Sequence, residues 1–177
     1  MKRKLPIGIQ TFSHIRQGGY YYVDKTALAI RLCQEGKHYF LSRPRRFGKS
    51  LFLDTLKELF EANAALFEGL AAQQQWDWSV SYPVLRFSFG GESYKRERSL
   101  TDTLDAQLQL WEQHYQLPPT TDSIGGRFAH LLVKLHQQAG QPVVVLIDEY
   151  DKPILDALSH PELAHANRDF LRGFYGN

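Results

Sequence analysis

The sequence predicts an α/β domain with a largely parallel sheet flanked by helices, and three observations carry that reading. Apolar runs alternate with amphipathic segments, and the connections are long enough to cross over between parallel strands. The run Val143-Val144-Val145-Leu146-Ile147 is apolar throughout, with none of the alternation of a half-wet strand, so both of its faces are expected to be buried. The stretch Ser42-Arg43-Pro44-Arg45-Arg46-Phe47-Gly48-Lys49-Ser50 lies between an apolar run, Tyr39–Leu41, and an amphipathic segment that opens at Leu51. Strand, loop, helix is the context a phosphate-cradling loop requires.

The elements follow in order. Leu5–Tyr22 reads as an irregular leader punctuated by Gly8, Gly18 and Gly19, and Tyr20–Val23 as a short extended piece. Asp24 is an N-cap candidate for a helix over Lys25–Gln34, with Gly36 as its stop. Lys37–Leu41 is a short strand. After the loop, Phe52, Leu53, Leu56, Leu59 and Phe60 recur at helical spacing and give a helix of about 14 residues with one buried face. Asn63–Tyr82 is loop with short helical pieces around Ala64–Gln74, and Trp76-Asp77-Trp78 plugs a core edge. Val84–Phe89 is a strand ended by Gly90-Gly91. Ser99–Tyr115 is helical, capped by Ser99 or Thr101 and broken by Pro118-Pro119. A helix over Ile124–Ala139 stops at Gly140, the strand Val143–Ile147 follows, and Pro161–Phe174 forms a last helix. Three clear strands make the sheet incomplete at the C-terminus.

Length and composition bound the rest. A chain of 177 residues fits one domain, 1–177, with a leader over 1–36 and a nucleotide-binding core over 37–177. The single cysteine, Cys33, excludes an internal disulfide and a multi-cysteine zinc site, and favours a reducing, cytoplasmic setting. The start, Met-Lys-Arg-Lys-Leu-Pro-Ile-Gly, is no signal peptide, and no apolar run is long enough to span a membrane. Net charge is +2, yet residues 1–50 hold 11 Lys/Arg against 2 Asp/Glu while the remainder holds 10 against 17. That basic third admits nucleic-acid contact; the plainer account is that the excess sits in the phosphate loop and a frayed start.

The ending Gly48-Lys49-Ser50 fits G-x-x-x-x-G-K-[ST], but Arg43 stands where the first glycine belongs. The second half of a site lies downstream, where the strand Val143–Ile147 runs into Asp148-Glu149. A carboxylate at the C-terminal end of a buried strand is where an α/β nucleotide site holds its metal. Together these define a P-loop NTPase-type core. Phosphates would be held by Arg46, Phe47, Gly48, Lys49, Ser50 and Leu51 at the helix N-terminus, with Lys49 on the β- and γ-phosphates. The Ser50 hydroxyl and Asp148 would hold Mg²⁺, and Glu149 would polarise the attacking water. Blander roles stand beside these. Asp148, Glu149 and Asp151 suit a helix-capping turn, although Asp-Glu-Tyr-Asp starts no obvious amphipathic helix. Arg43, Arg45 and Arg46 suit a solvated run, and Tyr20–Tyr22 suit core packing better than stacking on adenine. The seven histidines share no metal spacing.

The strings Leu5-Pro6-Ile7-Gly8, Tyr22-Val23-Asp24-Lys25-Thr26, Arg43–Leu51 and Leu146–Pro153 resemble those of the predicted AAA-ATPase-like family, across nearly the whole chain. In that family an arginine-proline pair stands where other P-loops have glycine, which makes Arg43-Pro44 a variant rather than decay. The resemblance implies an ATPase-type core commonly followed by a PD-(D/E)xK nuclease-like domain, so the chain reads as truncated, with no nuclease residues to carry over. Arg168 and Arg172 are arginine-finger candidates by position alone.

The expected activity is ATP binding with Mg²⁺-dependent hydrolysis. The alternative is a nucleotide-responsive binding or regulatory module with little turnover, acting with a nuclease or nucleic acid. The expected partners are the nucleotide and, at an uncovered sheet edge beside Val143–Ile147 or the P-loop strand, another chain or a second copy.

Overall fold

The computed structural model describes residues 3–35, 39, 44 and 47–176. It contains two compact units, Met1–Val84 and Leu85–Asn177. The strand expected over Lys37–Leu41, apart from Tyr39, and the stop at Gly36 lie outside the described residues.

The first unit is helical in its described residues: α1 (Phe12–Gln17), α2 (Thr26–Gln34), α3 (Lys49–Phe60), a 3₁₀ turn (Ala64–Phe67) and α4 (Ala72–Gln75). Helix α1 corrects the expectation of an irregular leader. Six residues cannot sustain a helix alone, and this one is held from a distance. Its first N–H, on Phe12, donates to Asp54 Oδ2 of α3 at 2.6 Å. The Arg16 guanidinium donates to the carbonyls of Leu66 at 2.7 Å and Glu68 at 2.5 Å. Phe12 and Ile15 are fully buried. Tyr20–Val23 forms no strand; the Tyr22 ring instead packs edge-on against Phe12 at 5.1 Å.

Asp24 is not itself the N-cap of α2, which is Lys25, but from one residue earlier its carboxylate serves two helices. Its Oδ1 accepts the Thr26 N–H and hydroxyl at 2.8 and 2.7 Å, while Oδ2 accepts the Ala71 N–H at 2.8 Å. One carboxylate therefore ties the start of α2 to the start of α4. Helix α3 lays Leu51, Phe52, Leu56 and Leu59 on the core of this unit, beside Trp76 and Trp78. It ends without glycine: Ala62 is left-handed at φ 57°. The Ala62 and Asn63 N–H groups donate to Leu59 and Glu58 at 3.0 and 3.1 Å, a Schellman arrangement.

The second unit is α/β: β1 (Val84–Ser88, beginning at the boundary residue), α5 (Ser99–His114), α6 (Ile124–Ala139), β2 (Val144–Asp148), α7 (Lys152–Leu155) and α8 (Pro161–Tyr175). The strands are parallel neighbours, and the Phe89 N–H extends the ladder to the Asp148 carbonyl at 3.1 Å. Leu85, Phe87 and Phe89 point into the core, where Phe87 meets Phe128 and Phe174 edge-on at 5.5 and 5.7 Å. Each such ring or leucine withdrawn from water contributes roughly 1.5–3 kcal/mol.

Strand β2 departs from the expectation of two sealed faces: only Leu146 is buried, and its neighbours are half-buried. Among the described residues β1 is its one strand partner, so a short two-stranded sheet leaves it partly open. Helix α5 is not capped by Ser99 or Thr101. Those hydroxyls donate backwards, to Arg96 and Arg98 carbonyls at 2.6 and 2.8 Å, and left-handed Arg98 holds the cap position. The helix stops before Pro118-Pro119, at a second Schellman turn with Gln116 at φ 56°. Helix α6 follows expectation, with Ser123 accepting the Gly126 N–H at 3.1 Å and Gly140 ending it at φ 63°. The two helices are pinned by Arg127, whose guanidinium clasps Glu112 at 2.8 and 2.6 Å and also reaches Asp105. No helix among the described residues is long and apolar enough to cross a membrane.

Candidate functional site

The candidate phosphate loop, in the first unit, centres on Gly48. Its φ of 74° places it in the left-handed region, where a side chain is strained even though a Cβ would meet nothing within 4 Å. Gly48 is the residue from which α3 springs, and as a glycine it brings no capping side chain of its own. The first-turn N–H groups thus form the positive end of a helix of 12 residues, the arrangement that receives an anion. Lys49 is exposed and Ser50 half-buried, while Leu51 packs into the core and fixes the register of both. Phe47 is 63% exposed, so it is no core anchor. Arg46, with Ser42, Arg43 and Arg45, lies outside the described residues.

The candidate acidic pair, in the second unit, lies at the C-terminal end of β2. Asp148 is the last strand residue, half-buried, and its Oδ2 lies 3.8 Å from an Arg86 guanidinium nitrogen. Glu149 sits at φ 53°, an uncommon left-handed conformation for glutamate. Its side chain folds against Gly90, where a Cβ would stand only 3.2 Å from the carboxylate carbon. Glycine at 90 is what admits it.

The acidic turn leads directly into α7, contrary to the expectation that no helix starts there: the Lys152 N–H donates to the Glu149 carbonyl at 3.0 Å. Lys152 Nζ then reaches the Glu92 carbonyl at 2.7 Å and Asp156 at 2.5 Å, over the Tyr94 ring at 5.5 Å. That ammonium holds the Asp156 carboxyl below the usual carboxylate range. Burial pushes the Tyr94 phenol up, and pushes Tyr175, beside Tyr150, up to about 12.

The structure brings Gly48, Lys49, Ser50 and Leu51 together at one helix end, and Asp148 with Glu149 at one strand end. Arg168 pairs with its neighbour Asp169 at 2.9 Å, and Arg172 is exposed on α8. No group of three or more His, Cys, Asp or Glu suited to a metal occurs among the described residues. Sequence reasoning passes over Arg86 and Gly90. The signal for Arg86 is a cation at an alternate position of the strand Val84–Phe89, in step with Ser88.

The chain belongs to the predicted AAA-ATPase family, whose sequence profile matches residues 6–177. ATP use is a property at the level of that family. The chain is also 53% identical, over 175 residues and 98% of its length, to an "Uncharacterized protein in vnfD 5'region" of Azotobacter chroococcum mcd 1. It spans about a third, 34%, of that relative. No solved structure matches it.

Proposed function

We propose that the chain is a P-loop domain that binds ATP at the N-terminus of α3 and supports Mg²⁺-dependent hydrolysis. The observation that carries this reading is the left-handed Gly48 opening α3 immediately before Lys49-Ser50. Lys49 neutralises the β- and γ-phosphates, and the α3 N–H groups surround them. Mg²⁺ suits the donor set. Asp148 and Ser50 offer hard oxygen only, and this ion takes one or two protein oxygens plus phosphate and water rather than a full protein cage. When bound, the ion would neutralise charge developing on the transferred phosphoryl group. In this reading Glu149 would orient the attacking water.

The test is titration calorimetry with ATP and Mg²⁺. Heat of binding and a raised melting temperature are expected, and their joint absence defeats the proposal.

A second reading, a nucleotide-responsive module with little turnover, is favoured by the conformation of Glu149. With its carboxylate folded onto Gly90, the residue must turn before it can act as a base. Binding without phosphate release in the same preparation selects this reading.

A further inference from the structure

Two strings of the family pattern have no part in the nucleotide reading, and both lie in the first unit. One main-chain bond joins them. The Tyr21 N–H donates to the Lys4 carbonyl at 2.9 Å, which sets Leu5-Pro6-Ile7-Gly8 beside the run that opens at Tyr22-Val23. The join faces outward. Tyr20 and Tyr22 are half-buried, Tyr22 against Phe12, while Tyr21 and Val23 are 52% and 77% exposed. Leu5 is 67% exposed and Ile7 87%, on a tight turn formed by the Ile7 N–H donating to the Leu5 carbonyl and by left-handed Gly8. Single apolar side chains on a surface are ordinary, but four brought to one join mark a docking surface.

Shape and charge say what covers it. A side chain as exposed as Ile7 stands on a convex tip, which offers no groove for a partner's side chain to fill. Leucine, isoleucine and valine give a nucleic acid neither hydrogen bonds for its phosphates nor a plane for its bases. A soft apolar layer does accept them. The rim is cationic: Arg3, Lys4 and Lys25 are exposed, and no carboxylate among the described residues pairs with any of them. The one carboxylate within residues 1–34, on Asp24, is spent on the N–H groups of Thr26 and Ala71.

We propose that this tip docks on an anionic lipid bilayer. Leu5, Ile7 and Val23 enter the headgroup layer, and Arg3, Lys4 and Lys25 rest on lipid phosphates. The chain then lies on a membrane surface without crossing it. Apolar insertion and basic contact are each weak alone, and lasting attachment takes the two together. The inference stands apart from the nucleotide reading and survives its failure.

The test is cosedimentation of the full chain with vesicles of equimolar phosphatidylglycerol and phosphatidylcholine, and with vesicles of phosphatidylcholine alone. Binding is expected on the anionic vesicles only, falling severalfold between about 0.05 and 0.5 M salt. Ile7→Ser with Val23→Ser should weaken it roughly tenfold, and Lys4→Gln with Lys25→Gln severalfold with a flatter salt dependence. No binding, equal binding to neutral vesicles, or serine variants that bind like wild type each overturn the inference. So does self-association or a DNA shift that the serine variants abolish, since the tip then serves a second copy or a nucleic acid. Should the variants fail to fold, wild-type protein still decides. Amide exchange at residues 5–8 and 21–23 must slow on anionic vesicles, and unchanged exchange refutes the docking.

Discussion

Gln107 completes a backbone pair with Ser88 as though it were a neighbouring strand. Its amide oxygen accepts the Ser88 N–H at 2.8 Å, and its amide nitrogen donates to the Ser88 carbonyl at 3.0 Å. Trp111, one turn further along α5, continues the row on the Arg86 carbonyl. The outer edge of β1 is thereby closed by a helix, one of the ways proteins shield strand edges from other chains.

Removing that closure should be visible twice. Gln107→Leu leaves two backbone groups of Ser88 without their partner and is expected to cost about 1–2 kcal/mol in a denaturant titration. The same variant should associate more readily in light scattering, because an edge becomes available. A variant as stable and as monodisperse as wild type would show that the pairing is incidental.

Two helices end on left-handed residues that are not glycine, Ala62 and Gln116. Left-handed backbone costs a residue with a Cβ about 1–2 kcal/mol, part of which glycine gives back through the entropy of its unfolded chain. Ala62→Gly and Gln116→Gly should each stabilise by about 0.5–1 kcal/mol, read as a higher urea midpoint at unchanged slope.

Arg127 and Glu112 are each only 6% exposed. Arg127→Met strands the Glu112 charge in the interior and should destabilise by about 3–5 kcal/mol, whereas Arg127→Met with Glu112→Leu should recover most of the loss. Calorimetric melting of the single and double variants decides. A single variant that melts like wild type removes the pin between α5 and α6.

For the nucleotide site, Lys49→Ala should abolish ATP binding and Glu149→Gln should spare binding while removing phosphate release. Gly90→Ala is the more discriminating change. Its new Cβ displaces the Glu149 carboxylate by a few tenths of an ångström from its resting place, and phosphate release is expected to rise severalfold with ATP affinity unaltered. A fall would mean that the resting place is also the working one.

Acid should loosen the first unit through Asp24. Burial alone would raise its carboxyl, but the N–H groups of Ala71 and Thr26 outweigh that and hold it below the usual 3.8. A depressed value means stability that is full above 3.8 and lost as pH falls through the folded-state value. Asp24→Asn should therefore flatten the acid limb of a stability–pH curve below 3.8 and lower the plateau above it. Parallel curves for the two proteins would assign that limb to other carboxylates.

What the sequence discloses follows the range of the interactions involved. Helices α2, α5, α6 and α8 were legible because apolar spacing and local stops such as Gly140 act within a few residues. Helix α1 was not, because its support comes from Asp54, Leu66 and Glu68, more than forty positions away. The end of α5 was legible from Pro118-Pro119, but the left-handed stops at Ala62 and Gln116 were not, because neither residue type marks a stop as glycine does. At the candidate site, the spacing of Gly48-Lys49-Ser50 and the strand ending in Asp148-Glu149 were both plain in one dimension. The Arg86–Asp148 pair and the Gly90 seat were not, since each depends on β1 and β2 being neighbours.

The bond from Phe12 to Asp54 also ranks the order in which the first unit comes together. A six-residue helix whose opening amide is satisfied by α3 has no independent existence during folding, so α1 must condense onto an α3 already in place. Its amide protons should then exchange with solvent only through openings that also disturb α3. A proton-by-proton clock on residues 15–17 would therefore report, from a neighbouring helix, on the integrity of the helix that begins at the phosphate loop.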